Sequence, residues 1–336
     1  MSTPPTTQEK DTYLDKTLRP SSWDEYIGQE TIKGNLRILL GAAATRGHSP
    51  EHILLYGPPG LGKTTLAHLV ARELNAQMKI TSGPAIERVG DLAAILTNLG
   101  EGDILFIDEV HRLNKSIEEV LYPALESGVL DIILGKGPSA RTIQLELPPF
   151  TLIAATTQVA NVSAPLRSRF SGGSFRLEFY SPQEIERIVE RSATILGTEI
   201  DSDSIQTIAQ RSRRTPRIAN YLLKRCRDYA QVHNQPLTKA MAIEALSLLG
   251  VDDLGLTEGD RELLRVLIKK FSGGPVGLST LAAALGDEES TIADVHEPFL
   301  LQCGLIERTQ RGRVATPHAY THLKEVPPQN QSTLSL

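Results

Sequence analysis

Gly57, Gly62, Lys63 and Thr64 stand in the stretch GPPGLGKT at the spacing G-x4-G-K-T, which suits one kind of ligand. Glycines let backbone N–H groups close on phosphate oxygens, and a helix starting at the lysine adds the positive end of its dipole. Lys63 is expected to reach the β- and γ-phosphates of a nucleoside triphosphate, and the Thr64 hydroxyl to ligate Mg2+. Gly60, Leu61 and Thr65 complete this phosphate-binding set. Further along, DILFIDEV (103–110) ends in adjacent carboxylates. Asp108 can hold the metal's water shell, while Glu109 can orient and deprotonate an attacking water. His111 follows them and is read as structural. A third apolar run, FTLIAATTQ (150–158), ends in Thr156 and Thr157. Either hydroxyl can bond the γ-phosphate or the attacking water, though threonine also simply favours strands.

Two arginine segments ask for an anion. PLRSRF (165–170) holds Arg167 and Arg169 with no acidic residue after them until Glu178. A buried cation is costly unless it meets an anion, so these are either plain surface arginines or residues awaiting a charge from elsewhere. In RTPRIAN (214–220), Thr215 fits an N-cap and Pro216 the first helical position, which places Arg217 in the opening turn. A cation there opposes the helix dipole and points to an external anion.

These residues need elements to position them. HILLYG (52–57) reads as a buried strand, and Leu66, Leu69, Val70 and Leu74 recur at helical spacing after the loop. Strand, glycine loop and helix, with two further apolar strands ending in polar residues, predict an α/β domain over 18–180. Its ligand crevice should lie at the carboxyl ends of parallel strands. Ser181, Pro182 and Glu184 form a capping box that opens an all-helical lid over 181–252. Over 253–325, three helices led by Thr257 precede a short hairpin around Arg311-Gly312, the winged-helix arrangement. Arg308, Arg311 and Arg313 cluster on that wing. They suit phosphate contact without base reading, Arg311 and Arg313 being favoured, or they merely keep an exposed hairpin soluble. DIILGKGPSARTIQLEL (131–147) predicts an inserted hairpin whose apolar side, with Ile143 and Leu145, either returns to its own domain or covers something else.

With 336 residues, 40% hydrophobic and 22% charged, the composition is that of a globular protein of two or three domains. A net charge of −5 gives no general argument for nucleic acid, so that case rests on the wing. Cys226 and Cys303 lie far apart without a His or Cys cluster, which argues against disulfides and zinc and suits a reducing cytoplasm. No apolar run has membrane-spanning length. The polar ends, 1–17 and 326–336, read as disordered tails.

In this order the elements resemble an AAA+ ATPase. The runs LRPSSWDEYIGQE, GPPGLGKTTLA, LFIDEVHRL, VLYPALE, GPSARTIQLELPPFTLIAATT, PLRSRF and FSGGPVGLSTLAAALG resemble, over about 13–322, the RuvB family of Holliday-junction branch-migration motors. The resemblance implies an ATP hydrolase binding ATP/ADP and Mg2+, a cytoplasmic homohexamer on duplex DNA, and the partners RuvA and RuvC. It implies that Arg169 is a finger reaching the γ-phosphate held by a neighbouring protomer, with Arg167 at the subunit interface, and that Arg217 contacts phosphates in cis. Leu18 and Arg19, with Tyr180 and, more weakly, Tyr13, would line the adenine and ribose; Ile143 and Leu145 would dock RuvA. The competing readings are a clamp-loader-like switch and a protein unfoldase. The unfoldase would need an aromatic pore loop, and none stands between Gly83 and Gly90.

Overall fold

Apolar runs too uniform to have a wet face build the first layer. β1 (Ile53–Tyr56), β3 (Ile104–Asp108) and β6 (Thr151–Thr156) are buried along almost their whole length, as parallel strands covered on both faces must be. The structure, a computed structural model, describes residues 17–134 and 141–327. The expected tails before 17 and after 327, Tyr13, and the hairpin tip at 135–140 lie outside the described residues.

Helix α1 (Glu30–Arg46) precedes β1, and α2 (Lys63–Glu73) follows the glycine loop. β2 (Met78–Ser82) and β7 (Gly173–Arg176) complete a five-stranded parallel sheet in the order β2-β3-β6-β1-β7. β6 therefore lies between β1 and β3, and the pairing Tyr56↔Thr156 sets its end level with the start of the glycine loop. On one face, α3 (Val89–Thr97) and α4 (Lys115–Ser127) bury Leu92, Leu96, Ile117 and Leu121 against Leu105, Ile107, Leu152 and Ala154. Between β3 and β6 the chain makes the expected hairpin, β4 (Val129–Leu134) and β5 (Arg141–Glu146), paired antiparallel. The short α5 (Ala164–Arg167) carries the PLRSRF arginines.

The described chain divides into two compact units: the sheet domain together with Thr215–Arg217, and Val189–Arg214 together with everything from Ile218 on. The division falls within α6 (Pro182–Ile195), which opens with the expected capping box, Ser181 N on Glu184 Oε2 at 2.7 Å and Glu184 N on Ser181 Oγ at 3.2 Å. The second unit holds the lid helices α7 (Ser202–Arg211), α8 (Pro216–Val232) from Ile218 on, and α9 (Lys239–Leu248), and the winged helix. In the latter, α10 (Glu258–Phe271), α11 (Leu278–Leu285) and α12 (Glu297–Gln302) precede the wing, β8 (Ile306–Thr309) and β9 (Gly312–Ala315), and α13 (Pro317–Leu323). Leu263, Leu267, Leu281, Ile292, Phe299, Leu300, Ile306 and Tyr320 fill its core.

Candidate active site

The glycine loop closes on itself through Lys63. This side chain is buried, and its ammonium donates to the carbonyls of Gly57 (2.8 Å) and Pro58 (3.0 Å). Burial pushes Lys63 below the ordinary lysine range, Glu109 and Asp108 oppose that shift, and Arg217 adds to it. A desolvated cation whose hydrogen bonds go to neutral carbonyls is poised for an anion. Gly57 has φ 138°, and a Cβ there would stand 2.7 Å from the Leu177 carbonyl oxygen; only glycine fits. Two phenols fasten the loop from the other side. Tyr26 and Tyr180 each donate a hydroxyl hydrogen bond to the Leu61 carbonyl, at 3.4 and 3.2 Å. Burial pushes the Tyr180 phenol up to about 12, so it remains a donor at any physiological pH.

At the ends of β3 and β6 the acid and hydroxyl residues converge. Glu109 takes left-handed backbone (φ 48°), a conformation that marks functional turns when a residue with a side chain adopts it. Its carboxylate accepts from Thr157 Oγ1 at 3.0 Å and lies 3.2 Å from His111 Nδ1. The same His111 nitrogen is 2.9 Å from Thr156 Oγ1, which also accepts from Gln158 N. Thus Thr157 touches the catalytic candidate Glu109 directly, whereas Thr156 is buried and acts through His111. His111, read from sequence as structural, joins the two; its distance of two residues from Glu109 was the available signal. Asp108, half-buried at the end of β3, accepts from Glu109 N at 3.0 Å. Thr64 and Thr65 are half-buried at the start of α2.

Arg217 joins this unit through its backbone, its N–H on the Gly60 carbonyl at 3.4 Å, while its side chain is exposed. Leu18 is buried and Arg19 half-buried. Arg19 acts on α2: burial, with this guanidinium beside it, pushes the His68 imidazole down to about 4.

Arg169 is paired within its own chain. Its anion is on this chain, upstream rather than downstream: Nη2 pairs with Glu126 Oε2 at 2.8 Å. Nη1 donates to the Pro165 carbonyl at 3.0 Å, and the guanidinium lies 5.2 Å from the centre of the Tyr122 ring. Tyr122 and Ser163, the N-cap of α5, both donate to buried Glu118, so α4 holds the whole arginine segment. Arg167 is exposed.

On the wing, Arg311 is exposed at the turn and Arg308 is 61% exposed. Arg313 is not available in the same way. It is 9% exposed and forks onto Glu297, Nε to Oε1 at 2.9 Å and Nη2 to Oε2 at 3.0 Å. Alternation along β9 turns it inward, and a bidentate buried partner holds it there. Leu145 is likewise half-committed, packed against the sheet-domain core, while Ile143, two residues outward, is 44% exposed.

A parallel sheet that ends in a glycine loop, an acidic pair and polar hydroxyls, followed along the chain by lid helices and a winged helix, defines an AAA+ P-loop ATPase. Family models narrow this: the Holliday junction DNA helicase RuvB P-loop domain matches 18–176, the RuvB AAA lid domain 180–252 and the RuvB C-terminal winged helix domain 253–324. The chain belongs to the RuvB family. The Holliday junction branch migration complex subunit RuvB of Dehalococcoides mccartyi is 58% identical over 321 residues, 95% of this chain and 91% of that protein. The subunit of the same name from Fusobacterium nucleatum is 55% identical over 314 residues, 93% of this chain and 94% of the other. Among solved structures, the Thermotoga maritima RuvB Holliday junction branch migration motor matches with a TM-score of 0.85 at 47% identity, covering 93% of this chain and all of that one. The clamp-loader and unfoldase readings fall with this assignment. No described helix is long and apolar enough to cross a membrane.

Proposed function

We propose that this chain is the ATP-hydrolysing motor of Holliday-junction branch migration, a cytoplasmic homohexamer around duplex arms that acts with RuvA and RuvC. The observation that carries the reading is the contact of Glu109 with Thr157 and His111 just past the ends of β3 and β6, beside β1, whose end leads into the glycine loop that Lys63 closes. The residues fit a Mg2+ nucleotide: the glycine loop excludes a Cβ at Gly57, and the Lys63 ammonium is buried on neutral partners. Gly57, Gly60, Leu61, Gly62, Lys63, Thr64 and Thr65 would hold the phosphates, and Thr64 with Asp108 the metal. The bound metal supplies neutralisation of the triphosphate's charge.

Glu109 accepts the proton of the attacking water at its carboxylate, and Thr157 and His111 hold that carboxylate in place until then. Leu18, Arg19 and Tyr180 serve the base and ribose side, Arg217 the phosphates in cis. Arg169 serves a neighbouring protomer's γ-phosphate and must leave Glu126 to do so, which makes hydrolysis conditional on assembly; Arg167 supports that seam. Arg311 and Arg308 contact DNA phosphates without reading bases. The outer end of the β4–β5 hairpin, Ile143 above all, docks RuvA.

The test is complementation between two defective proteins. Arg169→Ala should bind ATP but lose about 10³-fold or more in turnover, and mixing it with Lys63→Ala should restore part of the rate. Rings that form normally in the mixture yet recover no activity would refute action in trans.

A further inference from the structure

The turn between α7 and α8 is more constrained than a helix connection needs to be. Arg213 and Arg214 both hold left-handed backbone, φ 54° each. Two consecutive side-chain-bearing residues in that region persist only where their surroundings dictate it. The surroundings are in the winged helix. Gly255 passes so close that a Cβ on it would stand 2.6 Å from the Arg211 carbonyl oxygen, and Arg211 pairs with Asp253. Arg213 donates Nε to the Gly255 carbonyl at 3.0 Å and Nη2 to Asp260, and its guanidinium lies 4.7 Å from the centre of the Phe299 ring.

Asp260 is where these elements meet. It is wholly buried in the first turn of α10. Besides Arg213 it accepts from Thr257 N at 2.8 Å, from Thr257 Oγ1 at 2.7 Å, and contacts His296 Nδ1 at 2.7 Å. One carboxylate thus ties the lid's turn to α10 and to the stretch leading into α12. On the other side of the turn, the chain runs from Arg214 straight into Thr215–Arg217, the segment whose backbone bonds Gly60 of the phosphate loop. Three residues separate Arg217, bonded to the phosphate loop, from Arg213, fixed to the winged helix.

We infer that the Arg213–Asp260 pair is the positioning link that carries a displacement of Arg217 into the winged helix. Lid and winged helix then answer a change of nucleotide as one piece. Arg213 and Asp260 touch neither nucleotide nor DNA; they act through Arg217 and the wing. The inference rests on the motor reading above, in which Arg217 meets phosphates and the wing meets DNA.

The experiment compares full-length wild-type protein, Arg213→Gln and Arg213→Lys in ATP hydrolysis with and without duplex DNA. Arg213→Gln leaves Asp260 bonded to Thr257 and His296. It should keep KM for ATP and the DNA-free kcat within about twofold while stimulation by DNA falls about tenfold or more. Arg213→Lys, which retains a cation within reach of Asp260, should recover much of the stimulation. Stimulation intact in Arg213→Gln overturns the link. So does a fall of DNA-free and DNA-stimulated rates by the same factor, the mark of a structural staple alone. Should Arg213→Gln fail to fold, hydrogen exchange on wild-type protein decides: a non-hydrolysable ATP analogue should change protection at 213–217 and at 257–261 together, and a change confined to the first segment overturns the proposal. Wild-type protein that shows no stimulation by DNA would take down the motor reading itself, and this link with it.

Discussion

Replacing Arg313 by methionine separates a structural arginine from a DNA-binding one. Methionine keeps most of the length and apolar volume and deletes the guanidinium. Among the described residues, Glu297, whose side chain is 3% exposed, then keeps Arg308 Nε as its ion-pair partner, 3.7 Å away on a largely exposed side chain. Removing one partner of a buried ion pair costs about 3–5 kcal/mol, because the other charge is left in a poorly solvating interior. Partial cover by Arg308 places the expected loss at about 3 kcal/mol. For a cooperative unit of about 150 residues, each kcal/mol lowers the melting temperature by about 2–4 °C, so a drop of about 6–12 °C should appear in circular-dichroism melts. Replacing both partners, Arg313→Met with Glu297→Leu, should return most of that stability, since no orphaned charge remains. At a temperature where the single variant is folded, its affinity for duplex DNA should keep the wild-type salt slope. Arg311→Gln should do the reverse, melting with wild type while log K against log salt flattens by about 0.9 for each phosphate that is no longer neutralised. If Arg313→Met melts like wild type and still loses DNA affinity with a shallower salt slope, Arg313 meets phosphate and its burial on Glu297 has been misjudged.

Two other outcomes follow from the sheet domain. Gly57→Ala forces a Cβ to 2.7 Å from a backbone oxygen at φ 138°; it should cost about 1–3 kcal/mol and weaken binding of a fluorescent ATP analogue, whereas unchanged binding would show that the loop relaxes freely. His68, held down at about 4, is neutral in the folded protein while an unfolded histidine titrates near 6.5. Protonation of the unfolded chain therefore erodes stability as pH falls from about 6.5 towards 4, and His68→Gln should show a shallower decline in melting temperature over that window; an identical decline would refute the burial of this imidazole.

What the sequence makes legible here is local chemistry. GPPGLGKT announces itself because phosphate binding needs glycines, a lysine and a hydroxyl within eight consecutive residues. The capping box at Ser181–Glu184 and the helix beginning at Pro216 are readable for the same reason. Pairings across the fold are not. Arg169 looks bereft of an anion in the sequence because Glu126 lies 43 residues upstream on another helix. Arg313 looks free because Glu297 belongs to α12, and the two meet only when the wing folds against it. The outward gradient from Leu147 through Leu145 to Ile143 depends on where β5 emerges from the core, which a string of apolar residues does not reveal. His111 is easily underrated because its value lies in two partners, one of them 45 residues away.

The two phenols on the Leu61 carbonyl bear on the order in which the molecule is made. Tyr26 lies before the glycine loop and Tyr180 well over a hundred residues after it, just beyond β7, the strand that closes the sheet beside β1. A nascent chain interrupted before that point carries every residue of GPPGLGKT and lacks one of the two clasps that hold it in shape. During synthesis, grip on a nucleotide should therefore arrive late, only once the whole ATPase domain has cleared the ribosome.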